Sequence, residues 1–226
     1  MDLKNKTIVI TGSTKGLGRA LACGFLNEQS NVIINSRSKK ELQKAIKEIG
    51  TIGCLGDVTK EKDMQKLVDF VVKKFGKVDI WINNAGIAMA YLPIEEINSK
   101  QAHEIMEVNF WGTFYGSRAI MKTMKKQKSG AIINIVSTSS LSGRPRSAIY
   151  SSSKWAVRGF TQALRLAVKQ ENVYVIAIYP GDMKTTLLKK FKPKEYNNAM
   201  EPSFVANKII QNLKLGKLKE ELIIKK

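Results

Sequence analysis

Short apolar runs alternate with longer amphipathic stretches along the whole chain. The runs cover residues 6–11, 31–36, 51–56, 78–83, 131–137 and 173–180, and a last short one, ELIIKK, covers 221–226. They are rich in valine and isoleucine and nearly continuous in apolar residues, which is typical of parallel strands buried on both faces. The stretches near 17–29, 39–49, 60–75, 101–127, 150–170 and 202–214 are predicted to be helices.

This alternation predicts right-handed βαβ units and a sheet covered by helices on both faces. We expect one α/β domain over residues 1–226, doubly wound around a mostly parallel sheet of about seven strands, with 221–226 as an edge strand. Residues 184–201 lack clear periodicity, and a loop this long in a compact domain is usually a lid or a binding loop.

Composition adds a net charge of +19, from 38 Lys and Arg against 19 Asp and Glu. Such a charge can favour the binding of nucleic acid or of an acidic partner. The lysines are scattered among glutamates without a cluster of stacking aromatics, so solubility is the preferred interpretation and nucleic acid is an unlikely partner. No apolar run approaches the ~18–20 residues that cross a bilayer, and no secretory leader pattern is present. We expect a cytoplasmic protein without membrane contact.

Metal chemistry is not expected, because the chain has two cysteines and one histidine, too few for a structural zinc site. Cys23 and Cys54 are predicted to be small, buried, unpaired side chains. His103 is predicted to lie at the surface or at the start of a helix.

The glycine-rich turn TGSTKGLG (11–18) follows the first strand and opens the first helix. This context predicts a dinucleotide cradle, since the glycines allow close backbone approach and the helix N-terminus attracts a pyrophosphate. Tight packing is the alternative. The predicted cofactor contacts here are Gly12, Ser13, Thr14, Lys15, Gly16, Leu17 and Gly18.

The end of the second strand bears on the choice of cofactor. NAD-binding chains usually carry a carboxylate there, whereas this one carries Ser36 and Arg37 after Asn35. Arg37 and Lys15 can bind a 2′-phosphate, so we expect NADP(H). Ordinary surface cations are the alternative.

Tyr150 and Lys154 lie one helical turn apart in YSSSK, on the same helix face. A nearby ammonium favours the phenolate, and the charge of a bound oxidised nicotinamide would add to this effect, so the pKa of Tyr150 can fall. An ordinary surface Tyr–Lys pair on a helix is the alternative.

The motifs TGSTKGLG, GDV (56–58), NNAG (83–86), VNFWG (108–112), IVSTSS (135–140), YSSSK and YPGDMKT (179–185) occur in the order seen in the short-chain dehydrogenase/reductase family. The chain resembles this family from residue 5 to about 215. The resemblance implies a Rossmann-type fold with the active site at the carboxyl ends of the strands.

The resemblance also implies roles for individual residues. The catalytic set would be Asn109, Ser137, Tyr150 and Lys154, with Asn109 holding a water. Asp57 would bind the adenine amino group, and further cofactor contacts would be Val58, Asn83, Ala85, Gly86, Pro180, Gly181 and Thr185. Trp111 and Trp155 are predicted apolar anchors on two long helices that form the subunit interface in the family, so a homodimer or homotetramer is expected.

The leading functional interpretation is an NADPH-dependent oxidoreductase acting on a small-molecule carbonyl or secondary alcohol. Two alternatives stay open: a reductase of 3-oxoacyl thioesters on a carrier protein, and a catalytically idle NADPH-binding redox sensor. The lysines at 189, 190, 192 and 194 in the predicted lid leave open an acidic substrate or carrier, or simply a solvated loop.

Overall fold

The computed structural model describes residues 1–89, 91–189, 196–215 and 218–226. Its strands are β1 (Thr7–Ile10), β2 (Asn31–Ser36), β3 (Ile52–Leu55), β4 (Ile80–Asn83), β5 (Gly130–Ile135), β6 (Val173–Pro180) and β7 (Glu221–Ile224). Its α-helices are α1 (Gly16–Asn27), α2 (Lys39–Ile49), α3 (Glu61–Phe75), α4 (Ser99–Met106), α5 (Gly112–Gln127), α6 (Ala148–Ala167), α7 (Thr186–Lys189) and α8 (Pro202–Lys214).

The seven strands form one sheet in the order β3-β2-β1-β4-β5-β6-β7, and every pairing is parallel. This confirms the predicted doubly wound α/β fold, including the edge strand at the end of the chain. The chain reverses its direction of winding between β1 and β4. Ligands of open α/β sheets bind at such a switch point, beyond the carboxyl ends of the strands.

The sheet has a hydrophobic core on each face, which explains the continuous apolar runs. Alternate strand residues point to opposite sides: Ile8 and Ile34 join the core under α1, α2 and α8, whereas Val9 and Ile33 join the core under α3 and α5. Each strand must therefore be apolar at consecutive positions.

The predicted helix at 101–127 is continuous in the structure but not uniformly α-helical. A π-helical turn, Glu107–Trp111, joins α4 to α5. Single π turns inside α-helices often mark functional sites, and this one contains Asn109. His103 lies exposed in α4, as expected.

One expectation about side chains needs correction. Cys23 is exposed on α1, and Cys54 is half-buried in β3, so neither is a fully buried residue. Both cysteines are free thiols, as predicted. Trp111 and Trp155 are 38% and 46% exposed, and their role as apolar anchors at a subunit interface stays a prediction.

The predicted lid, residues 184–201, contains the short helix α7. Backbone contacts join the two ends of the lid. Met183 forms an isolated parallel bridge with Met200, supported by backbone hydrogen bonds from Met200 N to Asp182 O and from Lys184 N to Met200 O. The predicted lid lysines lie outside the described residues, which do not include the side chain of Lys189 or residues 190–195. No helix in the described ranges is long and apolar enough to cross a membrane.

Candidate active site

A cavity of about 440 Å³ runs across the carboxyl ends of the strands at the switch point. Most of the predicted site residues line it. They are Gly12, Thr14, Lys15, Gly16, Leu17, Ser36, Arg37, Asp57, Val58, Ala85, Gly86, Ser137, Tyr150, Lys154, Pro180, Gly181 and Thr185. Sequence positions from all along the chain therefore meet in one crevice.

The glycine turn shapes the middle of this cavity. Gly12 has φ +60°, and a Cβ on it would come within 2.8 Å of the Ala85 Cα. A side chain there would collide with the loop after β4 as well as strain the backbone. Gly16 opens α1 with φ +56°, and no side chain caps that helix N-terminus. The free N–H groups and the positive end of the helix dipole suit an anionic group.

Thr11 and Asn84 fasten the glycine turn to the loop after β4. The Thr11 hydroxyl accepts hydrogen bonds from the backbone N–H groups of Asn84 (3.0 Å) and Ala85 (3.1 Å). The Asn84 amide donates to the carbonyl oxygens of Thr11 (2.9 Å) and Gly12 (3.0 Å). These contacts hold the two walls of the crevice together.

The end of the cavity beyond β2 holds cations and a carboxylate. Lys15 Nζ lies 3.6 Å from Glu41 Oε1, and Arg37 Nη1 lies 4.0 Å from Glu104 Oε1. Lys15, Arg37 and Glu41 all line the cavity. Sequence reasoning missed Glu41, although the Ser38-to-Glu41 spacing is that of a helix capping box: Ser38 Oγ accepts from Glu41 N at 3.3 Å.

Asp57 lies half-buried at the cavity wall after β3. Its Oδ1 accepts hydrogen bonds from the Thr59 N–H (3.0 Å) and hydroxyl (2.9 Å), and its own N–H donates to Asp63 Oδ2 (3.1 Å). The carboxylate is thus held in a fixed orientation beside the cavity, where it can accept a hydrogen bond from a ligand.

Ser137, Tyr150 and Lys154 meet at the opposite end of the cavity. Ser137 follows β5, and Tyr150 lies in the first turn of α6. Lys154 is 5% exposed; its Nζ donates to the Ile135 carbonyl oxygen at 2.9 Å and lies 5.9 Å from the centroid of the Tyr150 ring. A hydroxyl, a phenol and an ammonium therefore line the same cavity.

The acid–base state of this cluster differs from the expectation. Burial raises the pKa of the Tyr150 hydroxyl, while the nearby Ser137 hydroxyl and Arg144 guanidinium act in the opposite direction. Burial also lowers the pKa of the Lys154 ammonium to about 8. The predicted fall in the tyrosine pKa is thus not produced by the residues of the chain alone.

Asn109 lies behind the cavity wall, fully buried in the π turn. Its side chain accepts from the Ile87 N–H (2.8 Å) and donates to the Ile87 carbonyl (3.0 Å) and the Ser153 hydroxyl (2.9 Å). Ser153 in turn donates to the Tyr150 carbonyl oxygen (2.7 Å). Asn109 therefore links the loop after β4 to the helix that carries Tyr150.

Three other predicted cofactor contacts also do not line the cavity. Ser13 is buried and donates to the Ile10 carbonyl at 2.7 Å. Gly18 packs beneath the turn, where a Cβ would come within 2.5 Å of Asn84 Nδ2. Asn83 is 4% exposed, and its side chain points towards α5 instead of into the cavity. Its neighbour Asn84 lines the cavity instead.

Sequence reasoning also missed the residues around the mouth next to Tyr150. Tyr91, Arg144 and Asp182 line the cavity there, on the loops after β4, β5 and β6. Arg144 donates to Thr138 Oγ1 (2.9 Å) and to Asp182 Oδ1 (3.4 Å). No periodicity or motif in the sequence brings these loops together.

Comparison with known proteins agrees with this architecture. The family described as short chain dehydrogenase matches residues 6–196, and the chain belongs to that family. The chain is 38% identical to 3beta-hydroxysteroid dehydrogenase 1 of Eggerthella lenta, over 88% of this chain and 79% of the relative. It is 32% identical to the diacetyl reductase [(S)-acetoin forming] of Staphylococcus epidermidis, over 96% and 87%.

Solved structures are similar over nearly the whole length. The 3-ketoacyl-(acyl-carrier-protein) reductase from Brucella melitensis complexed with NADH has a TM-score of 0.91 at 27% identity, covering 98% of this chain and 97% of that one. ElxO with NADP bound has a TM-score of 0.89 at 29% identity, covering 97% of each chain. The protein is thus an oxidoreductase-family chain whose structural relatives bind NAD(P)(H).

Proposed function

We propose that the protein transfers a hydride between NADP(H) and a small carbonyl or secondary alcohol, with Tyr150 as the proton donor and acceptor. One observation carries this: the cluster of Ser137, Tyr150 and Lys154 lies in the same cavity as the uncapped N-terminus of α1. A dinucleotide would therefore be held by residues of both groups. Residues 1–226 would act as one domain.

The cavity suits a dinucleotide in its chemistry. The glycine turn leaves room for a pyrophosphate at the end of α1. A Cβ on Gly86 would lie 3.3 Å from Asn109 Oδ1, a tight contact, so this part of the cavity wall favours glycine. Lys154 would hold the nicotinamide ribose, and Pro180, Gly181 and Thr185 would contact the nicotinamide. When bound, the cofactor supplies or accepts the hydride.

The residues of the chain supply the proton and hold the substrate oxygen. Tyr150 would give its hydroxyl proton to the carbonyl oxygen in reduction and take it back in oxidation. Ser137 would donate a hydrogen bond to the same oxygen, stabilising the charge that develops on it. Asn109 would act through its links to Ile87 and Ser153 as a positioning residue, and the proposed water would lie beside it.

The preference for NADP(H) is proposed from Ser36, Arg37 and Lys15 at the far end of the cavity. Arg37 and Lys15 can bind a 2′-phosphate with charge-assisted hydrogen bonds. Glu41 opposes this, because its carboxylate pairs with Lys15 at 3.6 Å. Solved relatives are bound to NADH in one case and to NADP in the other, so both cofactors are compatible with the fold.

A 3-oxoacyl thioester on a carrier protein is the second candidate substrate. The similarity to the 3-ketoacyl-(acyl-carrier-protein) reductase at 27% identity favours it. The diacetyl reductase at 32% identity favours a small diketone instead. An idle redox sensor is less well supported, because a sensor has no need for Ser137, Tyr150 and Lys154 to converge.

We also propose a homodimer or homotetramer. A cluster of rings at the start of α5 and on α6 joins the exposed Trp111 to Phe110, Phe114, Tyr115 and Phe160, with centroid distances of 5.2–6.3 Å. The other four rings are half-buried, and a partly exposed aromatic cluster favours association. A cytoplasmic location remains part of the proposal.

The proposal is tested with a panel of carbonyl compounds. Purified protein is mixed with NADPH or NADH and with diacetyl, a 3-oxosteroid or a 3-oxoacyl thioester, and cofactor oxidation is followed. The expected result is turnover of at least one carbonyl with NADPH that Tyr150→Phe removes. Turnover by neither cofactor with any of these compounds contradicts the assigned reaction, while tight NADPH binding without turnover supports the sensor.

A further inference from the structure

The mouth of the cavity next to Tyr150 is spanned by an ion pair. Arg144 lies on the loop between β5 and α6, and Asp182 lies on the loop after β6. Arg144 Nη1 donates to Asp182 Oδ1 at 3.4 Å, and Arg144 Nη2 donates to Thr138 Oγ1 at 2.9 Å. Both charged residues line the same cavity as Tyr150.

We propose that the Arg144–Asp182 pair selects uncharged carbonyl substrates. The inference rests on the proposed function and names the substrate class of that site. A lone arginine at this position would attract a carboxylate or phosphate group. Here Asp182 compensates its charge, so an anionic substrate gains no net attraction and has to displace a carboxylate that is already in place.

The other residues at the mouth of the cavity also favour an uncharged substrate. Tyr91 lines the mouth together with Arg144 and Asp182 and contributes a phenol ring to it. Lys154 lies deeper, with its ammonium hydrogen-bonded to the Ile135 carbonyl oxygen. The neighbouring lining is largely apolar: Ile87, Met89, Val136, Met183, Leu187 and Leu188. Among the described residues, the other charged ones that line the cavity lie towards β2 and β3, at its opposite end: Lys15, Arg37, Glu41 and Asp57.

A pair of substrates that differ by one charge tests the inference. Benzoylformate and its methyl ester carry the same ketone, and kcat/KM is measured for each at saturating NADPH. The wild type should prefer the ester. Asp182→Asn leaves the guanidinium uncompensated and should raise the acid-to-ester ratio about tenfold, the gain expected from one hydrogen bond to a charged group. Arg144→Gln should lower the ratio, and the double variant should return it towards the wild-type value.

Binding gives a second readout that needs no turnover. Benzoate and benzamide are close in shape and differ in charge, and ligand-observed NMR with the NADPH-bound protein gives the ratio of their dissociation constants. Asp182→Asn should shift this ratio towards benzoate, and Arg144→Gln should shift it towards benzamide. Arg144→Lys keeps the charge and should stay near the wild type even if the mouth loses its exact geometry.

Matched controls exclude an effect of net charge. Lys125 and Glu171 form an ion pair of 2.8 Å. It lies near the amino ends of β5 and β6, whereas the cavity lies at the carboxyl ends of the strands. Lys125→Gln and Glu171→Gln change the charge of the protein by the same amounts and should leave both ratios unchanged. A wild type that prefers the anion, or unchanged ratios in Asp182→Asn, overturns the inference. Absence of turnover with every carbonyl instead contradicts the proposed function, and the binding ratios then still decide the inference.

Discussion

Lys154 donates a 2.9 Å hydrogen bond from its Nζ to the carbonyl oxygen of Ile135, and this places an ammonium group inside the protein at the end of β5. Burial lowers its pKa from 10.5 to about 8. The folded state therefore holds this proton less tightly than the unfolded state. The charge costs free energy below pH 8, and the cost disappears as the pH rises towards the ordinary value of 10.5.

Lys154→Met should remove this pH dependence. Relative to the variant, the free energy of unfolding of the wild type should rise by about 1 kcal/mol between about pH 7 and about pH 9. Urea unfolding of both proteins at both pH values measures the difference, and the other titrating groups cancel in the comparison. Parallel pH curves for the two proteins would show that Lys154 is already neutral or is well solvated.

Tyr150→Phe should abolish catalysis and leave cofactor binding nearly intact, because the ring still packs while the acid–base hydroxyl is lost. Loss of a positioned proton donor costs about 10²–10⁴ in rate. Turnover and NADPH titration measure the two effects. Tyr174→Phe is the matched control, since Tyr174 is 47% exposed in β6 and lies away from the cavity. If Tyr150→Phe retained more than about a tenth of the wild-type turnover, Tyr150 would not be the proton donor.

Glu41→Gln should shift cofactor preference towards NADPH. The carboxylate of Glu41 pairs with Lys15 at 3.6 Å and would repel a 2′-phosphate that approaches the same lysine. Removing it should strengthen NADPH binding by up to about fivefold, with little change for NADH, since exposed ion pairs contribute about 0.2–1 kcal/mol.

The control for Glu41→Gln lies on the same helix. Glu48 of α2 accepts from Arg19 at 2.6 Å and does not line the cavity. Glu48→Gln changes the charge of the protein equally and should leave the ratio of NADPH to NADH dissociation constants unchanged. Equal ratios in both variants and the wild type would show that Glu41 does not influence the cofactor.

Asn83→Ala should destabilise the fold more than it affects cofactor binding. Asn83 accepts from Trp81 Nε1 (2.7 Å) and donates to Ser117 Oγ (2.9 Å) and Asn134 Oδ1 (2.8 Å). Its loss leaves buried polar groups unpaired, at about 1–3 kcal/mol for each. Asn84→Ala should instead weaken NADPH binding, since Asn84 holds Thr11 and Gly12. Thermal unfolding and cofactor titration separate the two, and the reverse pattern contradicts the assignment.

The fold could be predicted because parallel strands covered on both faces need continuous apolar runs. Val9 and Ile8 point to different cores, so neither position tolerates a polar residue, and the strand is visible without any partner. The glycine turn was predictable for a similar reason. Its function depends on a strand before it and a helix after it, and both are local in sequence.

The choice between Asn83 and Asn84 shows where this reasoning failed. Asn83 lies two residues after Trp81, so the two share a face of β4 and Asn83 points towards α5 rather than into the crevice. Strand periodicity carries this information, but the family motif does not. Arg144 and Asp182 are different, because they meet across 38 residues of sequence and their loops follow no repeat.

The three serines of YSSSK should respond differently to replacement by alanine. Ser153 is buried and joins Asn109 to the Tyr150 carbonyl, whereas Ser152 is exposed. Ser151 is 6% exposed, and within the described ranges its hydroxyl is the buried side-chain polar atom without a hydrogen-bond partner. An unpaired buried hydroxyl costs free energy, and alanine is the better helix former.

Ser151→Ala should therefore leave stability unchanged or raise it by about 0.5–1 kcal/mol. Ser153→Ala should lower stability by about 1–2 kcal/mol, because it removes two hydrogen bonds next to Tyr150. For a chain of this length 1 kcal/mol corresponds to about 2–4 °C in Tm, so calorimetry resolves the two variants. Ser152→Ala serves as the exposed control in the same helix. A loss of stability in Ser151→Ala equal to that in Ser153→Ala would show that the Ser151 hydroxyl has a partner, which a water or the bound cofactor would have to provide.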